Sequence, residues 1–97
     1  MQLLTCETFA SRAGETFDLT MGDSSLPLTL AEVTPLPAQP FPGMTRAPFS
    51  LIFRSATPIV LPQKLYRLNN ARLGGLDIFL VPIGRDTQGA VYQAVFN

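Results

Sequence analysis

The chain predicts an all-β fold, a compact six-stranded and mostly antiparallel barrel or sandwich with one short N-terminal helix. Three observations carry that expectation. Strand-like segments follow one another from Phe49 to the last residue, glycine- and asparagine-containing turns separate them, and only one stretch repeats at the helical period. At 97 residues the chain is one domain, 1–97, since chains of this size do not divide into two independent cores.

The helix is expected at about residues 5–13. Cys6, Phe9, Ala10 and Ala13 fall on one stripe at i, i+3, i+4 and i+7. Thr5 suits the N-cap, Glu7 the positive end of the helix dipole and Arg12 the negative end. Gly14 stops the helix. So short a helix is not stable alone and must lie against the strands, which makes Cys6 a small buried apolar residue rather than a nucleophile.

Glu15–Thr20 and Leu26–Val33 alternate apolar and polar residues as half-buried strands do, with a turn at Met21–Ser25. Pro27 cannot donate to a ladder, so it belongs at a strand's start or on an edge. A proline-rich connection follows at 35–48, with prolines at 35, 37, 40, 42 and 48. Proline fixes φ and removes the N–H, so this segment reads as a long crossing from one sheet to the other, partly polyproline II. Within it, Phe41 and Met44 beside Gly43 are candidate apolar anchors of an exposed loop.

Phe49–Arg54, Leu65–Leu68, Leu76–Val81 and Ala90–Asn97 are the four remaining strands. Asn69–Gly75 and Gly84–Gly89 supply turn chemistry, so the chain closes on a hairpin at 76–97. Phe17, Phe49, Phe53, Phe79 and Phe96 are expected to fill the interior.

Composition narrows the function. Charged residues make up only 14%, against about 25% in ordinary soluble domains. That shortage points to a surface partly covered by a partner or by further copies of the chain. Net charge is zero, which gives no support for nucleic acid or a membrane surface. The halves differ: residues 1–47 sum to −3 and residues 48–97 to +3, which suits two halves that pack together.

The chain lacks histidine, which excludes Ser-His-Asp and Cys-His catalysis and the commonest zinc ligand. One cysteine makes neither a disulfide nor a thiolate cluster. No phosphate loop, dinucleotide fingerprint or calcium loop is present, so no cofactor is expected and the chain is read as non-enzymatic. No signal peptide and no run of membrane-spanning length is read, so a cytoplasmic origin is expected, with an exported or surface assembly as a further destination.

Two polar features are candidate sites. Glu32 continues the phase of Leu26, Leu28 and Leu30, which faces the core, and would need a partner there. Arg54, which ends another strand, is the candidate for a structural ion pair with it. The cations Arg54, Lys64, Arg67, Arg72 and Arg85, with Tyr66 and Tyr92, are otherwise a solvated face, and Arg54 and Arg67 join Phe41 and Met44 as candidate interaction residues.

The set Phe9…Gly14…Phe17, Leu30-Ala31-Glu32-Val33, Phe49–Arg54, Leu61-Pro62-Gln63…Tyr66, Phe79–Gly84 and Tyr92–Asn97 resembles a family of short bacterial proteins of uncharacterised function. Members of that family neighbour phage-tail-collar (microcystin-dependent) proteins. The resemblance implies an accessory component of a phage-tail-like or fibre assembly, partnered by itself or by a tail-collar-type fibre protein, and it carries no catalytic residues. The expected function is therefore a structural or protein-interaction module that uses a low-charge face or a sheet edge. A small-molecule-binding β-barrel with a partly hollow core is the alternative.

Overall fold

A computed structural model describes residues 4–37 and 47–96. The helix α1 spans Cys6–Ala10, and six strands follow: β1 Thr16–Met21, β2 Ser24–Pro35, β3 Phe49–Ser55, β4 Lys64–Asn70, β5 Gly74–Asp86 and β6 Gly89–Phe96. They form a closed antiparallel barrel in the circular order β1-β2-β3-β6-β5-β4. The all-β expectation holds, and closure decides for the barrel over the sandwich.

The helix is shorter than its apolar stripe suggested. Thr5 and Thr8 form a capping box, in which the Thr5 hydroxyl accepts from the Thr8 N–H and the Thr8 hydroxyl accepts from the Thr5 N–H. Beyond Ala10 the chain turns, and Gly14 adopts φ +86° while its N–H donates to the Leu30 carbonyl. Only Phe9 is fully buried from this helix; Cys6 is half-buried. Phe9 covers one end of the barrel, 5.5 Å from the Phe96 ring, 5.8 Å from Phe49 and 6.3 Å from Phe17. Phe49 and Phe96 stack at 4.8 Å, and Phe17 meets Phe53 edge-on.

The two ends of the proline-rich connection lie on neighbouring strands of the one barrel rather than on separate sheets. Pro35 pairs with Phe49, and the Leu36 N–H donates to the Pro48 carbonyl, so the chain leaves β2 and returns beside it as β3. Phe41 and Met44 lie outside the described residues. The segment that does cross is 56–63, between β3 and β4. Those two strands stand on opposite sides of the ring, so this strap passes over the barrel end opposite α1.

Two bulges set the facing of the long strands. In β2 the register shifts between Leu30 and Glu32, with Ala31 as the extra residue. Leu28 and Leu30 face the core before it, Val33 faces inward opposite Leu51 after it, and Glu32 is exposed. In β5 the register shifts between Pro82 and Gly84, and Ile83 stands out at 51% exposure.

The strand prolines occupy stretches laddered on one flank only. Pro27 pairs with β1 before the β3 register begins, Pro35 pairs with β3 after the β1 register ends, and Pro82 pairs with β6 after the β4 register ends. Each missing N–H therefore falls where no ladder bond is lost.

The interior is filled by Leu19, Leu28, Leu30, Leu51, Leu68, Ile78 and Leu80 together with Phe9, Phe17, Phe49, Phe53, Tyr66 and Tyr92. Phe79, expected inside, points outward at 49% exposure, because the apolar run Ile78-Phe79-Leu80-Val81 supplies apolar residues to both faces.

Removing residues 94–97 deletes the pairs Phe49–Phe96, Ser50–Val95 and Leu51–Ala94 together with the Phe96 ring. A Phe deletion alone costs about 3–5 kcal/mol, so the truncated chain is expected to melt on the order of 15 °C lower or to fail to fold, as read by circular dichroism. Gly89 sits at φ +137°, and a Cβ there would collide with the Ser55 carbonyl. Gly89→Ala is expected to lose about 2 kcal/mol or more in urea denaturation.

Candidate interaction surface at the strap end

The strap is held from beneath by two buried tyrosines. Tyr92, on β6, accepts from the Leu61 N–H at 3.0 Å and donates to the Ile59 carbonyl at 3.5 Å. Tyr66, on β4, donates to the Pro62 carbonyl at 2.6 Å. Burial, and then the neighbouring Tyr92, push the Tyr66 phenol above its ordinary pKa, so it keeps its donor proton. At the start of the strap, the Ser55 hydroxyl and the Ala90 N–H both donate to the Thr57 carbonyl, while the Ile59 N–H donates to the Thr57 hydroxyl. A strap bonded in this way, with prolines at 58 and 62, holds its conformation without a partner.

That fixed strap presents apolar side chains to solvent. Ile59 is 66% exposed and Val60 43%. Beside them lies an open cleft of about 410 Å³, lined by Met21, Leu61, Pro62, Lys64, Leu65 and Arg67 among others. Leu65 opposes Phe79 across the β4–β5 ladder, and both are about half exposed. Met21 and Leu65 line the cleft, Phe79 stands beside Leu65, and Ile59-Val60 precede its Leu61-Pro62 wall, so these exposed apolar residues gather at the same end of the barrel.

Arg67 borders the cleft as an interaction candidate, but its guanidinium is engaged. It lies across Gly75, where a Cβ would meet it, and donates to the Asp77 carboxylate at 3.3 Å. Arg54 lies elsewhere, on β3, and pairs with Asp86 at 2.5 Å. The Glu32–Arg54 pair expected from sequence does not form: the bulge at Ala31 turns Glu32 outward opposite Ile52, and Arg54 opposes Thr29. The Arg54 hydrogen bond and then the Gln88 N–H hold the Asp86 carboxyl below its usual range. Phe41 and Met44, as noted, fall outside the described residues.

The remaining ion pairs serve the helix end. Glu15 receives Arg12 at 3.0 Å and Arg72 at 3.8 Å, and Asn70 donates to it at 3.2 Å. Of the ion pairs among the described residues, Arg72–Glu15 alone joins the acidic first half to the basic second half. Among the described residues, no group of three or more His, Cys, Asp or Glu could hold a metal ion, and no helix is long and apolar enough to cross a membrane.

A family model described as a domain of unknown function, DUF6916, matches residues 4–96, from the residue before the helix cap to the end of β6. The chain belongs to the DUF6916 family. Comparison with curated proteins and with solved structures finds no match. Membership in DUF6916 therefore covers the whole barrel with its helix and names no reaction, ligand or partner.

The surface residues that sequence reasoning missed are Leu65, Phe79 and the strap pair Ile59-Val60. In Leu65-Tyr66-Arg67-Leu68 both phases contain apolar residues, so alternation alone does not say which face is inside. The available signal was Tyr66 and Tyr92, large residues with a polar tip that a buried site must satisfy. Tyr92→Phe is expected to cost about 1–3 kcal/mol by leaving the strap's buried backbone groups unpaired. Urea denaturation should show that loss, and limited proteolysis should show faster cleavage within 56–63.

Proposed function

We propose that this DUF6916 domain is a non-enzymatic protein-interaction module that docks through the apolar surface at its strap end. The observation that carries the reading is that surface itself: Met21, Ile59, Val60, Leu65 and Phe79 are 38–66% exposed although the core is already filled by other side chains. Each such side chain, if covered by a partner, contributes about 1.5–3 kcal/mol. The closed ladder leaves no complete edge strand for β-augmentation, which favours docking by a face.

The filled interior weighs against the carrier reading, because a ligand would have to displace the stacked rings of Phe9, Phe49 and Phe96. An accessory role in a phage-tail-like or fibre assembly, beside a tail-collar-type protein, is the narrower form of the proposal. The sequence resemblance and the low charged fraction are its support.

Leu65→Glu with Phe79→Asp is expected to abolish association while lowering the melting temperature by only a few degrees, because both side chains already face water. Light scattering and affinity capture, each with wild type and the double variant, read the outcome. Association that survives the double variant would overturn the docking surface.

A further inference from the structure

We infer that the strap end is occupied by a second copy of this chain, related by a twofold axis across the strap cleft. The inference rests on the docking surface proposed above and adds the identity of its partner.

A twofold contact places the same patch on both molecules, so the patch must complement itself in shape and in charge. The strap end meets the shape condition by holding a projection and a recess side by side. Ile59 and Val60 project, and the cleft of about 410 Å³ with Met21, Leu61 and Leu65 in its walls is the recess. A twofold rotation seats the strap of each copy against the cleft of the other, burying apolar side chains from both.

Charge gives the second argument. The cleft lining contains Lys64 from β4 and Gly22 from the β1–β2 turn, and Asp23 follows Gly22 directly. Arg67, the other cation in the lining, already holds Asp77. Among the described residues, neither Lys64 nor Asp23 forms an ion pair. One unmatched cation, Lys64, thus lines the cleft on its β4 side, and one unmatched anion, Asp23, stands in the β1–β2 turn next to the lining residue Gly22. Rotation about an axis between them brings each Lys64 to the partner's β1–β2 turn, where Asp23 stands, so two intermolecular pairs form and no like charges meet. A partner bearing strong net charge of either sign would gain from only one of the two groups.

The test is a sedimentation and light-scattering series on the full chain over a wide concentration range. Wild type is expected to form a dimer and no larger species. Leu65→Glu is expected to be monomeric throughout. Asp23→Lys and Lys64→Asp should each weaken the dimer about tenfold or more, and the double exchange Asp23→Lys/Lys64→Asp should restore it, since the pair is re-formed with its polarity reversed. Thermal melts confirm that each variant is folded.

A wild-type monomer at the highest concentration overturns the second copy. In that case affinity capture that is lost in Leu65→Glu/Phe79→Asp still upholds the docking surface with another partner. A dimer indifferent to Leu65→Glu uses another face and overturns the inference. So does a double exchange that fails to recover what the single changes lost, or a wild type that grows into larger oligomers.

Discussion

The short ladder between β1 and β4 is the constraint on which the rest of the molecule depends. Four residue pairs, from Phe17–Asn70 to Thr20–Arg67, close the ring. Once β1 holds β4 and β6 holds β3, the chain can pass from β3 to β4 only by crossing the open end of the barrel. The strap is therefore a topological requirement before it is a surface. A crossing segment over an apolar interior brings backbone groups that must be satisfied away from water. Tyr66 and Tyr92 meet that requirement, with rings in the core and hydroxyls at the strap. At the opposite end, among the described residues, the buried Phe9 on a short capped helix covers the opening.

Much of this was legible in the sequence. The number of strands, the N-terminal helix capped at Thr5 and the closing hairpin all follow from local patterns, whereas the helix ends at Ala10 with Ser11 as its C-cap, short of the stop expected at Gly14. What failed were inferences that extended a phase or guessed a path. Counting in twos from Leu26 puts Glu32 inward, and one extra residue at Ala31 reverses the count. Apolar neighbours on both sides of Phe79 suggest an inward ring, whereas the ring faces outward. The prolines at 35–48 suggested a crossing because prolines interrupt ladders, whereas Pro35 ends a strand and β3 begins beside it. The true crossing, 56–63, looks ordinary as sequence, since its role arises from where β4 pairs 47 residues away from Thr20.

The shortage of charge has a structural counterpart. Among the described residues, Arg12, Arg54, Arg67 and Arg72 are all committed to carboxylates of the same chain, and two of the four pairs, Arg54–Asp86 and Arg67–Asp77, lie exposed on the barrel wall within the second half. Such exposed pairs contribute little stability. Their larger effect is local neutralisation of the outer wall, as where Asp77 matches Arg67 near Leu65 and Phe79. The opposite net charges of the two halves thus matter less as a force between halves than the local matching around the barrel.

The placement of Pro27, Pro35 and Pro82 bears on what kinds of assembly this molecule can enter. Each occupies a stretch with one unladdered flank, the only sort of place in a barrel where a foreign strand could add itself and begin an open-ended cross-β stack. A residue without an N–H spoils that templating at its own position. An exposed apolar end can therefore stand on this domain without an adjoining backbone template for runaway fibrillar growth.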